Sequence, residues 1–272
     1  MQKMQTVGFI GCGNMGSAII QGISKSQNFK VAGYDHNAYK LEKLQKECGL
    51  IICQSEEELT KLADIIIIAV KPYAVQVLVS KITPLLSSEK ILCSIAAGVS
   101  VETIKQASSS LCPVVVVMPN TPAMVGEACT ALCFDDTMLS FSQKEMIQTI
   151  FNAVGTTVIL PESFFPEFST LIGSGPAFVF YMQEAMLEAA IRLGFRYDDA
   201  KKLIDQLFVG SAKLAQANVH IDHARLRLNV CSPKGTTIVG MNTLDKNTVR
   251  GAIIDAILAT YDRNLELIKK NN

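Results

Sequence analysis

Two stretches of this chain carry residue types and spacings that could do chemistry. The first, GFIGCGNMGSAII, sets glycines at 11, 13 and 16 in the pattern G-x-G-x-x-G. That spacing can cradle a pyrophosphate. The first glycine permits a tight turn, the second lets backbone approach the phosphates, and the third brings helix against strand. The phosphates then rest on the unpaired N–H groups of a helix N-terminus. The second stretch, VCSPKGTTIVG, gathers Ser232, Lys234, Gly235, Thr236 and Thr237 with no His, Asp or Glu among them. One reading makes it a helix start, with Ser232 as cap and Pro233 in the first turn. The other makes it an anion pocket suited to a carboxylate. In that reading Gly235 and Thr236 aim free N–H groups outward, and Ser232 and Thr237 add hydroxyls. The residue pattern alone supports both.

The glycine motif is weak by itself, so the elements that position it decide its meaning. An apolar strand, Thr6–Ile10, precedes it, and a helical pattern with Ile19, Ile20 and Ile23 follows. A second strand, KVAGYD, ends on Asp35, about twenty residues past the glycines, which completes a dinucleotide fingerprint. A carboxylate there accepts a hydrogen bond from a ribose 2′-OH and repels a 2′-phosphate, which leans to NAD. His36, Asn37 and Lys40 follow directly and can accommodate the phosphate, so NADP stays open.

Strands and helices then alternate. ADIIIIAV, KILCSIAAG and PVVVVMPNTPA are apolar runs of strands buried on both faces. EACTALCF reads as a further strand, followed by a helix from about residue 142 and a last strand, TTVIL. The expected fold is α/β, a Rossmann-type doubly wound sheet over residues 1–161. Ligands of such sheets lie outside the carboxyl ends of the strands, here residues 69–72, 96–98 and 118–122.

After Pro161 the strand patterns stop, and residues 162–272 read as all-helical. Residues 164–172 look helical. A long helix follows, with Ser174 as cap, Pro176 in the first turn and Gly194 as stop. Its surface is apolar nearly all round, the mark of a helix buried in a bundle or between subunits. A helix capped by Asp198, a shorter one over HIDHARLRLNV and a last one from about Lys246 complete the half. So few helical residues bury little alone, so a homodimer at least is expected.

Composition narrows the function classes. Hydrophobic residues are 49%, charged residues 18%, and the formal net charge is zero, which favours neither nucleic acid nor an anionic membrane surface. No apolar run approaches the ~18 residues of a membrane span, and the start of the chain moves straight into a strand. The eight cysteines include no C-x-x-C pair and lie in apolar runs away from the histidines. They read as reduced, packed thiols of a cytoplasmic protein with no metal site.

Three segments together resemble the pyrroline-5-carboxylate reductase family: GFIGCGNMGSAIIQG, LIGSGPAFVFYMQEAM and CSPKGTTIVG. The strand ends AVKP, SIAAGVS and MPNTPA are similar in order and spacing. The resemblance spans essentially the whole chain, and its second and third segments are more specific than the first. It implies a Rossmann domain followed by a helical domain that interlocks with a partner subunit. It also implies an active site between one subunit's nucleotide domain and the helical dimer. The implied reaction is NAD(P)H-dependent reduction of 1-pyrroline-5-carboxylate to L-proline. The resemblance implies that Ser232, Gly235, Thr236 and Thr237 hold the substrate carboxylate, and that the Thr237 hydroxyl lies near the ring nitrogen. It implies cofactor contacts from Ile10, Gly11, Cys12, Gly13, Asn14, Met15 and Gly16, from Ala69, Val70, Lys71 and Pro72, and from Ala96, Ala97 and Asn120. The chain departs from the family's usual S-P-G-G-T-T by placing Lys234 where the first glycine stands. If that position needs positive φ, Lys strains it by roughly 1 kcal/mol or more. Alternatively, Lys234 adds a cation near the carboxylate.

Rival readings keep the architecture and change the chemistry. A β-hydroxyacid dehydrogenase needs a Lys four residues past the last motif glycine and an Asn four further on. Val179 and Gln183 stand at the comparable positions after Gly175. A reductase for a six-membered cyclic imino acid is harder to separate, since one methylene is worth only ~1–3 kcal/mol. A non-catalytic, dinucleotide-binding regulatory relative is the third reading.

Overall fold

The computed structural model describes residues 4–271, and the side chains of 4–268. The outermost ends of the expected domains, residues 1–3 and 272, lie outside the described residues. The chain divides into two compact units, one of residues 1–173 with 265–272 and one of residues 174–264.

The first unit is built on an eight-stranded sheet. Its strands are β1 (Thr6–Ile10), β2 (Lys30–Tyr34), β3 (Ile51–Ile52), β4 (Ile65–Ile68), β5 (Ile91–Ser94), β6 (Val114–Met118), β7 (Ala128–Cys133) and β8 (Gly155–Ile159), in the order β3-β2-β1-β4-β5-β6-β7-β8. Strands β1 to β6 are parallel, β7 pairs antiparallel to β6, and β8 pairs parallel to β7. The order 3-2-1-4-5-6 is that of a dinucleotide-binding sheet, and its direction switches between β1 and β4. The doubly wound architecture is thus as the apolar runs require. The two-residue edge strand β3 and the antiparallel step are additions that the sequence pattern did not signal.

Strand pleating sends alternate residues to opposite faces, and each face has its own core. Val7, Phe9, Ile65, Ile67, Val115 and Val117 pack with α1 (Asn14–Ser26), α2 (Ala38–Cys48) and α6 (Phe141–Asn152). Ile10, Ile66, Ile68, Leu92, Val114 and Val116 pack with α3 (Glu56–Leu62), α4 (Pro72–Ile82) and α5 (Val101–Ala107). Phe165 and Phe168 of α7 (Phe165–Phe168) enter this second core, and a π-helical turn, Ser169–Gly173, ends the unit's first and longer segment. Residues 164–172 are therefore helical, but in three short pieces. All eight cysteines are free thiols. Burial pushes Cys53 and Cys112 up to about 11 and Cys133 up to about 12, as packed, unreactive thiols require.

The second unit comprises α8 (Gly175–Arg192), α9 (Tyr197–Ala217), α10 (His223–Asn229), α11 (Thr236–Lys246) and most of α12 (Val249–Asn271). Pro176 lies in the first turn of α8, and Gly194 follows its end with φ +95°, both as expected. Several expected caps are not made. Ser174 has helical backbone and makes no capping bond, and Arg196 rather than Asp198 precedes α9, leaving Asp198 in the first turn. The last helix starts at Val249 rather than Lys246, because Thr248 takes φ +54° and breaks the run. No residue of α8 is buried within the chain, and Phe180 and Tyr181 are 65% and 75% exposed. Among the described residues, no helix is long and apolar enough to cross a membrane.

Candidate functional site

A cavity of about 980 Å³ opens at the carboxyl ends of β1, β2, β4 and β5 in the first unit. That is large enough for an extended ligand of cofactor size. Ile10, Gly11, Gly13, Asn14, Met15 and Gly16 form one wall, Ala69, Val70, Lys71 and Pro72 another, and Ala96 and Ala97 a third; Asp35 lies at the rim with His36 and Lys40.

The glycines divide the work as their spacing requires. Gly11 has φ +101°, and a Cβ on it would meet the Ala69 carbonyl oxygen at 2.6 Å. A Cβ on Gly16 would meet the Gly11 carbonyl oxygen at 2.5 Å, so α1 can start this close to the turn only with glycine there. At Gly13 a Cβ would meet nothing within 4 Å: the space beside it is open. Gly13 also precedes α1 without a side-chain cap, so the first-turn N–H groups lack an intrahelical partner. An open backbone, an uncapped helix start and a cavity at the sheet's switch point fit a dinucleotide pyrophosphate.

Asp35 ties this loop together. Its Oδ2 accepts the Cys12 N–H at 2.7 Å and its Oδ1 accepts the Asn37 N–H at 2.9 Å. The Lys40 ammonium stands 3.9 Å from Oδ2. Tyr34 and His36 pack edge to face at 5.5 Å, with the Tyr34 hydroxyl 3.3 Å from His36 Nδ1.

Two residues expected among the cofactor contacts do not line the cavity. The Cys12 side chain is buried under the loop, where burial and then the Asp35 charge push its thiol up to about 12. Asn120 is 8% exposed; its Nδ2 donates to the Ile172 carbonyl at 3.1 Å and its Oδ1 accepts the Cys129 N–H at 3.0 Å. Both amide ends are thus committed to joining β6, β7 and the segment before Gly173. Conversely, Tyr73, Val77 and Lys81 of α4 line the cavity and carry no part of the glycine motif or of the strand ends. Their i, i+4, i+8 spacing after the strand end AVKP was the available signal: it puts two large residues, Tyr73 and Val77, 86% and 75% exposed, on the face of α4 opposite its packed side. Among the described residues, no cluster of His, Cys, Asp and Glu could hold a metal ion.

The second candidate stretch lies in the other unit and forms a turn followed by a helix. The Gly235 N–H donates to the Ser232 carbonyl at 3.0 Å. Pro233 and Lys234 are the central residues, and Lys234 takes φ +59°. Proline second and positive φ third is the pattern of a type II turn, whose third position favours glycine. A Cβ on Gly235 would meet the Ser232 hydroxyl, which would have to rotate away, and the Ser232 carbonyl oxygen at 3.1 Å, so the turn is tight at this point. The helix-cap reading of Ser232 fails, because Gly235 precedes α11 and no side chain caps it. The anion-pocket reading shifts by one residue. The Gly235 N–H is used inside the turn, and the open helix-start donors are those of Thr236 and its successors. The hydroxyl-bearing Ser232, Thr236 and Thr237 stay together at this helix start.

Comparison with known proteins joins the two stretches. Residues 162–267 match the family profile "Pyrroline-5-carboxylate reductase dimerisation", and residues 6–98 match "NADP oxidoreductase coenzyme F420-dependent". The pyrroline-5-carboxylate reductase of Methanosarcina acetivorans is 36% identical, over 98% of this chain and 99% of that protein. The chain belongs to the pyrroline-5-carboxylate reductase family. Among solved structures, the Coxiella burnetii family member superposes with a TM-score of 0.91 at 29% identity, covering 97% of this chain and 99% of that one. A Plasmodium falciparum pyrroline carboxylate reductase with NADP bound gives 0.83 at 30% identity, covering 96% of this chain and 97% of that one. The family's reduction of a C=N bond and its nicotinamide cofactor accord with a glycine-loop cavity. Its dimerisation profile falls on the helices that leave apolar residues exposed.

Proposed function

We propose that this chain reduces 1-pyrroline-5-carboxylate to L-proline with NADH or NADPH, as a cytoplasmic enzyme that is a homodimer at least, with a ring of dimers as its larger form. The observation that carries this reading is the coexistence, in one chain similar to these reductases over nearly its whole length, of an open glycine-loop cavity and an uncapped, hydroxyl-rich helix start.

Residues 1–161 serve as the nucleotide domain and residues 162–272 as the dimerisation and substrate domain. The backbone at Gly13 and the first turn of α1 hold the pyrophosphate; Ile10, Cys12, residues 69–72, Ala96, Ala97 and Asn120 shape and support that site. The bound reduced nicotinamide supplies a hydride to C5 of the ring. Ser232, the Thr236 N–H and the hydroxyls of Thr236 and Thr237 hold the substrate carboxylate, while Gly235 lets the turn close tightly enough to present them. Thr237 orients the ring nitrogen. A ring that binds already protonated needs no proton from the protein; a neutral imine takes one from, or through, the Thr237 hydroxyl. Positioning and a carboxylate anchor can suffice for this chemistry, which suits a stretch without His, Asp or Glu.

The deciding experiment is steady-state oxidation of NADH and NADPH by the purified protein with pyrroline-5-carboxylate, with its six-membered analogue, and without substrate. Preferred turnover of the five-membered ring is expected. Preference for the six-membered ring would move the assignment to the other imino acid, and cofactor binding without turnover would make the chain a regulatory relative.

A further inference from the structure

We infer that Lys40 is the residue that lets this cavity take a 2′-phosphorylated dinucleotide in spite of Asp35, so that one site serves both cofactors; this rests on the reading of the cavity as a dinucleotide site. A carboxylate at the end of the second strand ordinarily selects against a 2′-phosphate by repulsion. Here that carboxylate is already engaged. Asp35 accepts the N–H groups of Cys12 and Asn37 at 2.7 and 2.9 Å, one on each oxygen, and its side chain is only 14% exposed. Both oxygens are tied into the loop they bridge. A lone pair on each oxygen remains to accept a ribose hydroxyl.

Lys40 is differently placed. Its ammonium is 3.9 Å from Asp35 Oδ2, too far for a hydrogen bond, and the side chain is 45% exposed, so it is held loosely. It occupies the first turn of α2, where a cation opposes the helix dipole, so helix stability does not explain a lysine there. Of the other two ammoniums that line the cavity, Lys71 stands just before α4 in the wall that follows β4, and Lys81 is held by Glu56 at 3.1 Å and Glu57 at 3.0 Å. Lys40 is the ammonium beside Asp35, and it is more loosely tied than Lys81. With a 2′-hydroxyl bound, Lys40 stays beside Asp35, which accepts a hydrogen bond from the hydroxyl. With a 2′-phosphate bound, Lys40 swings to the phosphate and offsets its repulsion from Asp35.

The test is equilibrium binding of NADH and of NADPH to the full-length protein, by nicotinamide fluorescence, for the wild type, Lys40→Met and Lys40→Arg. The readout is the ratio of the NADPH to the NADH dissociation constant. The wild type is expected to bind both. Lys40→Met should raise the ratio at least fivefold, and Lys40→Arg should leave it within fivefold of the wild type. A smaller rise in Lys40→Met, or loss of both cofactors together, overturns the role of Lys40. A wild type that binds NADH but not NADPH overturns it too. A wild type that binds neither cofactor overturns the dinucleotide reading as well. Tight binding of both without imine reduction would refute the proposed reaction and leave the role of Lys40 standing.

Discussion

Lys234 offers the sharpest quantitative test. It holds φ +59° between Pro233 and a glycine, in a turn closed by the Gly235 N–H. A non-glycine residue in the left-handed region is disfavoured by roughly 1–2 kcal/mol. Replacing it with glycine removes that strain but loosens the unfolded chain, which takes back about 0.4–1 kcal/mol. Lys234→Gly should therefore stabilise the fold by about 0.5–1 kcal/mol. For a chain of this size that raises the melting temperature by about 1–4 °C. Lys234→Ala separates strain from charge: alanine pays the same backbone penalty, so no stabilisation is expected, but the cation is gone. If the ammonium helps hold the substrate carboxylate from an exposed position, its removal weakens substrate binding by about 0.2–1 kcal/mol, up to roughly a fivefold rise in KM in both variants. Thermal unfolding at one fixed protein concentration, with KM for the imine, reads both effects. A glycine variant no more stable than the alanine variant would refute the strain argument. An unchanged KM in both would refute the cation argument.

Four further outcomes are expected. Gly13→Ala should keep wild-type stability, because a Cβ there meets nothing within 4 Å, yet lose more than about tenfold in dinucleotide affinity, whereas Gly11→Ala should lose both; parallel titration and melting of the two variants checks this. Thr237→Ala should lower turnover more than cofactor affinity, and unchanged turnover would remove Thr237 from the reaction. Burial alone would push the fully buried Asp136 carboxyl up, but the Lys105 ammonium at 2.8 Å and the Met138 and Val114 N–H groups outweigh it and hold it below the ordinary carboxylate range. Its stabilising contribution is therefore complete above the unfolded value of about 3.9 and is lost as pH falls below that towards the folded value, while Asp136→Asn should destabilise by about 3 kcal/mol at pH 7 and flatten that acid limb, as urea melts across pH would show. Phe180→Asp, on the exposed face of α8, should shift the protein towards monomer in light scattering after gel filtration, and an unchanged mass would take that residue out of the interface.

The nucleotide half was legible because its signals are local and agree with one another. The run Ile65–Ile68 can hardly be anything but a doubly buried strand, and all four isoleucines are at most 1% exposed. The glycine spacing fixed both the turn and the helix start. What stayed hidden depends on contacts between distant segments. Asp35 looks like a ribose ligand in sequence; only the fold shows it accepting the Cys12 N–H. Asn120 sits at a strand end where ligands bind, yet its amide bridges Ile172 and Cys129, separated from it by 52 and 9 residues. Nothing in the local pattern distinguishes an amide that faces a cavity from one that staples three segments.

The helical half was less legible for a different reason. Its caps failed where a good capping residue had a better geometric competitor. Ser232 is a strong cap type, but Pro233 and Lys234 turn the chain first, so α11 starts after Gly235 with no side chain at its end. The residue pattern therefore admitted a stabilising cap where the fold leaves donors open. An uncapped start is not peculiar to α11: α4, α8 and α9 also begin with no side-chain cap, so open donors alone do not mark a ligand site. The apolar residues of α8 have no buried position within the chain, and in a family whose profile for this half is named for dimerisation that deficit calls for another subunit.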